Sequence, residues 1–178
     1  MKSKNLILTT AFITLLNLFS KGQTPTVGTS VQCDFDGDGK KEFATAVKTK
    51  QGEGNPVDGG TADEYSITFS NDKFKPIAIG CCDARIINEG DLNEDGKDDI
   101  SIYQAPMNGT VYSITTYSFI NGAWKVIIET FLVMTGGDYY DDAKLQKQIF
   151  KENGVVYRFD VDVNDKNMKL VKKKVILK

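Results

Sequence analysis

The sequence of 178 residues contains no histidine, only four prolines and only three cysteines. Without histidine, the chain has no imidazole to serve as a general base or as a member of a Ser-His-Asp triad. It also has no pair of CxxC motifs, so it lacks the ligand pattern of a structural zinc site. No Gly-x-Ser-x-Gly elbow and no phosphate-binding loop occurs. These absences argue against hydrolases with a triad, phosphate-loop enzymes and zinc proteins.

Long apolar runs are absent after the N-terminal segment. Lys2 and Lys4 precede an apolar stretch from Leu6 to Phe19, which is the pattern and the length of a secretory signal. The small residues that follow suit cleavage after Gly22 or after Ser20. An uncleaved membrane anchor is the alternative, although a transmembrane helix needs about 20 apolar residues. We therefore expect residues 1–22 to be a signal peptide.

Cleavage would leave residues 23–178 as a single β domain in the periplasm or outside the cell. A lipid anchor is disfavoured because Val31-Gln32, which precedes Cys33, is not a lipobox. Removal of the signal takes away three of the 22 basic residues and none of the 24 acidic ones, so the formal net charge changes from −2 to −5. An acidic chain without a basic face is a poor binder of nucleic acid. We expect neither nucleic-acid binding nor membrane insertion after cleavage.

The three cysteines are Cys33, Cys81 and Cys82, and export would allow a disulfide. A bond between the neighbours Cys81 and Cys82 would close a strained ring, so we expect Cys33 to pair with one of them and leave the third thiol unpaired. Three buried, reduced thiols that pack as small apolar residues are the alternative.

An internal repeat organises the chain. Tyr65-Ser66-Ile67-Thr68 recurs as Tyr112-Ser113-Ile114-Thr115, and Asn108-Gly109-Thr110-Val111-Tyr112 recurs as Asn153-Gly154-Val155-Val156-Tyr157. Self-similarity of this kind predicts units of a propeller or solenoid. We place the repeats at about 31–80, 81–131 and 132–178, with a polar, Gly-rich insertion from Gly52 to Asp63 in the first of them.

The local pattern predicts an all-β fold. Alternating runs rich in β-branched and aromatic residues indicate strands near 83–88, 99–105, 110–119 and 123–131. Asn-Gly pairs at 108–109, 121–122 and 153–154 are strong hairpin signals. We expect two to three antiparallel, propeller-like blades, arranged as an incomplete propeller or a short stack of blades. Asp142 to Asn153 is ambiguous, and we favour a strand over a short helix capped by Asp141 or Asp142.

Two Asp-rich loops carry the chemistry that the sequence predicts. The first begins at Asp34 and the second at Asp91, and both follow the pattern D-x-[DN]-x-D-G-x-x-[DE]-apolar. Oxygen donors at positions 1, 3 and 5, the carbonyl of position 7 and the carboxylate of position 9 can converge on one hard cation. The predicted calcium ligands of the first loop are Asp34, Asp36, Asp38, Lys40 and Glu42. Those of the second loop are Asp91, Asn93, Asp95, Lys97 and Asp99.

The spacing excludes an EF-hand, which needs a glutamate at position 12 and flanking helices. Position 12 is Thr45 in the first loop and Ile102 in the second. Plain polar turns are the alternative, because Asp, Asn and Gly also suit turns. Four acids within the nine residues of the first loop repel one another, however, and in a turn that binds no cation this repulsion would be an uncompensated energetic cost. Calcium is favoured over magnesium because a flexible loop of several carboxylates suits the larger ion.

The loops, each followed by a strand pattern, resemble the FG-GAP/VCBS repeats of integrin-α-type β-propellers. The likeness covers residues 31–48 and 84–130. It implies a β-propeller fold and calcium ligation by the same ten residues. Family propellers close with about seven blades, whereas this chain holds two to three units, and its third unit lacks the loop.

These observations predict a secreted, non-catalytic β module with two structural calcium sites. The module would bind a protein or a glycan at the cell surface or in the periplasm. A glycan-active or thiol-redox enzyme is one alternative. A self-assembling structural component, forming a homo-oligomer, is another.

Overall fold

The computed structural model describes residues 26–162 and 164–178. The predicted signal peptide, residues 1–22, lies outside this range. Among the described residues, no helix has the length and apolar character required to cross a membrane. The elements are β1 (Val27–Gly28), β2 (Ser30–Cys33), β3 (Glu42–Lys50), a 3₁₀ turn (Pro56–Asp58), β4 (Glu64–Phe69), β5 (Ile77–Gly80), β6 (Ala84–Gly90), β7 (Asp99–Gln104), β8 (Val111–Ile120), β9 (Ala123–Met134), α1 (Asp142–Leu145), β10 (Ile149–Glu152), β11 (Val155–Val161) and β12 (Leu170–Lys174).

The described strands form three antiparallel sheets, none of which closes on itself. The first sheet has the order β2-β3-β4-β5 and the third has the order β10-β11-β12. The second sheet has the order β1-β6-β7-β8-β9, so it is a meander of four strands to which the short β1 adds at the β6 edge. The prediction of an all-β fold is therefore confirmed. The four strands predicted between residues 83 and 131 coincide with β6 to β9.

Two of the three Asn-Gly pairs form tight hairpin turns. Asn121 and Gly122 join β8 to β9 with φ values of 52° and 78°, and Asn153 and Gly154 join β10 to β11 with φ values of 50° and 75°. Two consecutive residues with positive φ give a turn whose twist matches that of the paired strands. At the third pair only Gly109 has positive φ, in a longer loop between β7 and β8.

The second sheet is the central layer of the fold. Successive side chains of a strand point to opposite faces of the sheet, and Ile86 and Ile87 of β6 accordingly belong to different core clusters. Ile86 packs in the cluster that includes Ile67 of the first sheet. Ile87 packs in the cluster that includes Ile149 and Val156 of the third sheet. Two separate cores therefore hold the three sheets together.

The segment from Asp142 to Asn153 contains both of the structures considered for it. The side chain of Asp141 accepts a hydrogen bond from the backbone N–H of Lys144 and caps α1. Leu145 at the end of this turn is completely buried, and β10 then runs into the Asn153-Gly154 hairpin. The preference for a strand is wrong for residues 142–145, because a local cap and one buried leucine stabilise a helical turn there.

The predicted participation of Cys33 in a disulfide is also wrong. Cys81 is bonded to Cys82, whereas Cys33 is a free thiol with none of its surface exposed. Cys33 belongs to the core cluster between the first and second sheets, while the bonded pair lies in the turn from β5 to β6. The backbone at Cys82 is left-handed, with φ of 88°.

Candidate metal centre

Both Asp-rich loops connect a first strand to a second strand of the same sheet. Loop 1 (residues 34–42) leaves β2 and ends on the first residue of β3, and loop 2 (residues 91–99) leaves β6 and ends on the first residue of β7. The acid at position 9 of each loop, Glu42 or Asp99, therefore begins a strand. No helix flanks either loop in the described residues. This arrangement agrees with the exclusion of an EF-hand.

The carboxylate at position 1 organises each loop through backbone N–H groups. In loop 1, Asp34 Oδ1 accepts from Gly37 at 2.8 Å, and Asp34 Oδ2 accepts from Gly39 at 2.9 Å. In loop 2, Asp91 Oδ2 accepts from Gly96 at 2.8 Å. An ionised carboxylate has about four lone-pair positions, so these bonds hold the side chain in place and leave it able to bind a cation.

The side chains at position 3 are held from outside their loops. Lys73 Nζ lies 2.6 Å from Asp36 Oδ2, and this hydrogen bond lowers the pKa of Asp36. The amide of Asn93 donates to Ser118 Oγ at 3.0 Å. That contact directs the amide nitrogen of Asn93 toward Ser118. The Oδ1 of Asn93 then faces the loop and accepts a hydrogen bond from the N–H of Asp95 at 3.1 Å.

The residues at positions 5 and 7 of each loop bond to each other. Asp38 Oδ1 accepts from the backbone N–H of Lys40 at 2.8 Å, and Asp95 Oδ1 accepts from that of Lys97 at 3.1 Å. The lysine side chains turn back to the same carboxylates, with Nζ to Oδ2 distances of 3.5 Å and 2.9 Å. Each position-5 carboxylate therefore has one oxygen turned to the loop backbone and one turned to an ammonium group.

The acid at position 9 is buried in both loops. Glu42 is 8% exposed and Asp99 is 0% exposed. Glu42 Oε2 accepts from the N–H of Phe35 at 3.4 Å, and Asp99 Oδ2 accepts from the N–H of Leu92 at 2.9 Å. Burial raises the pKa of Glu42 and raises that of Asp99 to about 6. The second oxygen of Asp99, Oδ1, is buried and has no hydrogen-bond partner.

The acids of loop 1 converge more closely than those of loop 2. One carboxylate oxygen from each of Asp34, Asp36 and Glu42 lies within 4.8 Å of the others. Loop 2 has Asn93 in the place of Asp36, so its matching set contains only two acids, Asp91 and Asp99. The structure brings together the position 1, 3 and 9 acids that the sequence predicts in the first loop.

The two loops also contact each other, which the sequence analysis missed. The N–H of Asp34 donates to Asp98 Oδ2 at 2.9 Å, and the N–H of Asp98 donates to the carbonyl of Asp34 at 2.8 Å. A Cβ placed on Gly37 would lie 3.0 Å from the carbonyl oxygen of Gly96. The only sequence signal was the acid at position 8 of loop 2, where loop 1 has Lys41.

Position 2 anchors each loop in a different core. The ring of Phe35 meets those of Phe69 and Trp124 edge to face, at centroid distances of 5.4 Å and 5.2 Å. Phe69 belongs to the first sheet and Trp124 to the second, so loop 1 is held between them. Leu92 lies in the other core, in the cluster that includes Val156 of the third sheet. The loops are thus held firmly on both sides of the central sheet.

No family model, curated protein or solved structure matches this chain. The resemblance of the loops to FG-GAP/VCBS repeats remains a prediction from the sequence.

Proposed function

We propose that this protein is a secreted, non-catalytic β module in which loop 1 and loop 2 each bind a structural calcium ion. The bound ions would stabilise a surface that recognises a protein or glycan partner. The observation that carries the proposal is Asp99, a fully buried carboxylate whose Oδ1 has no hydrogen-bond partner.

A buried carboxylate with one oxygen left without a hydrogen bond is costly, because its hydration is lost and only partly replaced, here by bonds from Leu92, Asn93 and Ser118. Asp99 lies at the closing position of a loop that already supplies Asp91, Asn93 and Asp95. A divalent cation held by these oxygen donors would satisfy Asp99. Oxygen donors alone, without nitrogen or sulfur, are the ligands that calcium prefers.

Loop 1 supports the same proposal through its distances. Calcium binds oxygen at about 2.3–2.6 Å, so two ligands on opposite sides of one ion lie about 5 Å apart. The oxygens of Asp34, Asp36 and Glu42, all within 4.8 Å of one another, fit a single coordination sphere of that size. Lys73, which pairs with Asp36 Oδ2, would compete with the ion for one oxygen and lower its affinity.

The fold supports propeller-like blades as part of the proposal. In each sheet the strands β2 to β5, β6 to β9 and β10 to β12 lie side by side in chain order, as strands do in a blade. Each loop joins the first two strands of a four-stranded meander. In that position a bound ion would rigidify the edge of a blade rather than take part in a reaction.

The test is thermal unfolding of the protein in roughly 10 mM calcium and in excess chelator, with magnesium as a comparison. For module-type sites with Kd of about 10⁻⁴–10⁻³ M, that concentration contributes about 1.4–2.7 kcal/mol per site. A rise in Tm of at least about 5 °C is expected. The double variant Asp38→Ala/Asp95→Ala should lose this rise, whereas Asp72→Ala, an exposed acid outside the loops, should keep it. Equal melting with calcium and with chelator would refute the proposal.

A further inference from the structure

A cleft of about 410 Å³ opens where the first and second sheets meet the segment that follows β9. Its wall contains five of the seven tyrosines of the sequence. They are Tyr65 of β4, Tyr103 of β7, Tyr112 of β8, and Tyr139 and Tyr140 after β9. Small-ligand sites commonly have volumes of about 300–1,000 Å³ and aromatic walls. The cleft therefore has the size and lining of a site for a small ligand.

One buried and one partly buried tyrosine form the floor of the cleft, and an exposed tyrosine forms its rim. The rings of Tyr103 and Tyr112 stack in parallel, with a centroid distance of 4.7 Å and an interplanar angle of 2°, and Tyr103 is only 5% exposed. Tyr139 at the rim is 76% exposed. Core packing accounts for the floor but leaves the rim ring open to solvent, so Tyr139 offers a flat aromatic face to a ligand.

Charged groups of both signs line the same cleft. Arg85 donates from Nη1 to the carbonyl of Tyr140 at 2.5 Å and pairs with Asp142. These bonds hold its guanidinium 5.4 Å from the centroid of the Tyr139 ring. The carboxylates of Asp83 and Asp138 complete the polar lining, and both are exposed residues. The cleft thus combines aromatic faces with fixed donors and acceptors.

A second cleft, of about 420 Å³, continues from the first past the disulfide turn. The two share Tyr65, Asp83 and Ala105, and the second is also lined by Cys82. Gln104 Nε2 donates to the carbonyl of Cys81 at 2.5 Å and so fixes this turn. Together the clefts have room for more than one ring of an extended ligand.

The lining decides between classes of ligand. A cation would be repelled by the guanidinium of Arg85, which lies 5.4 Å from the centroid of the Tyr139 ring, and an anion would be repelled by Asp83 and Asp138. A purely apolar ligand would dehydrate these carboxylates and offer them no hydrogen bonds in return. A neutral sugar ring has an apolar C–H face that stacks on an aromatic ring and an edge of hydroxyl groups that bonds to carboxylates and guanidinium.

We infer that this tyrosine cleft is a binding site for a neutral oligosaccharide, with one pyranose ring stacked on Tyr139 and its hydroxyl groups bonded to Asp83, Asp138 and Arg85. The inference specifies the partner left open in the proposed function and rests on its binding role. None of the residues that line the cleft belongs to loop 1 or loop 2. The inference is of recognition alone and includes no chemical step on the sugar.

The experiment measures binding to immobilised neutral trisaccharides of glucose, galactose, mannose and N-acetylglucosamine, followed by calorimetry on those retained. A galacturonic acid trimer, a glucosamine trimer and choline serve as anionic and cationic probes. Tyr139→Ala should weaken neutral-sugar binding by about tenfold, and Asp83→Asn should weaken it as well. Tyr139→Phe should retain most of the affinity, because the ring remains. Tyr157→Ala removes a tyrosine outside the cleft, in β11, and should leave binding unchanged.

Absence of binding to all four neutral sugars, or binding that Tyr139→Ala does not change, would overturn the inference. Stronger binding of choline or of either charged trimer than of the neutral sugars would also overturn it. Because Tyr139 is largely exposed, its substitution should not unfold the protein, and circular dichroism checks this point. The same samples are melted in calcium and in chelator. A calcium-dependent Tm without sugar binding refutes only the cleft, and sugar binding without a calcium effect refutes only the calcium sites.

Discussion

Asp34 and Asp98 join the two Asp-rich loops by a pair of hydrogen bonds in opposite directions. The N–H of Asp34 donates to Asp98 Oδ2 at 2.9 Å, and the N–H of Asp98 donates to the carbonyl of Asp34 at 2.8 Å. Asp98 is not a predicted ligand, and Asp34 is position 1 of loop 1. These bonds connect the two loops, so an ion that orders one loop also affects the backbone of the other. Calcium binding at the two sites should therefore be coupled.

Asp98→Ala removes the acceptor of the Asp34 N–H and should lower the free energy of unfolding by about 1.5–3 kcal/mol, because hydrogen bonds to charged groups contribute that much. Urea denaturation measures the change. Asp72→Ala, at an exposed turn position, is the matched control and should have little effect. If both variants unfold at the same urea concentration as the unsubstituted protein, the bond between the loops has no energetic role.

A comparison of Gly37→Ala with Gly39→Ala distinguishes two contributions to stability, that of the left-handed backbone and that of the contact between the loops. Both glycines have positive φ, of 75° and 83°, so each alanine costs roughly 1–3 kcal/mol through the left-handed backbone alone. Only at Gly37 does the added Cβ meet another group, the carbonyl oxygen of Gly96 at 3.0 Å. Gly37→Ala should therefore destabilise the protein more than Gly39→Ala in chemical denaturation. If the two variants lost the same free energy of unfolding, the contact between the loops at Gly37 would make no contribution to stability.

Asp99→Asn removes a buried charge and keeps the shape of the side chain. In chelator the variant should be at least as stable as the unsubstituted protein, because a buried carboxylate with one oxygen lacking a hydrogen bond is costly. In calcium it should be less stable, because the closing ligand of loop 2 has lost its charge. Melting in both buffers checks this reversal of order. Asp138→Asn changes an exposed acid outside the loops and should show no reversal. If Asp99→Asn were less stable than the unsubstituted protein in both buffers, that result would argue against the calcium site in loop 2.

Cys33 should resist modification in the folded protein. Its side chain is fully buried, and this burial raises the pKa of the thiol, so both access and thiolate formation are suppressed. Mass spectrometry after iodoacetamide treatment should detect no label on the native, unreduced protein and one label after unfolding. Peptide mapping should recover Cys81 and Cys82 bonded to each other. A peptide joined through Cys33 would contradict the structure.

Local sequence determined those parts of the fold that depend on neighbouring residues. Asn121-Gly122 and Asn153-Gly154 form the predicted turns because these residues tolerate positive φ wherever they stand. The predicted strands of the second sheet follow from alternation of side chains, which requires only a sheet with two faces to cover. The hydrogen bonds within loop 1 and within loop 2 are also local. They join residues at most five positions apart, except that the closing acid bonds to a residue seven positions before it.

Tertiary structure decided what depends on residues far apart in the chain. Cys33 is free because its strand buries it in the core, and spacing along the sequence cannot report that. The contact between Asp34 and Asp98 spans 64 residues, and the tyrosine cleft gathers β4, β7, β8 and the segment after β9. Local patterns specify backbone angles and the faces of strands, but packing of the three sheets against one another sets which loops and rings meet. The sequence by itself therefore predicts the two loops as oxygen-donor sites, and the packing of the sheets joins them and forms the cleft.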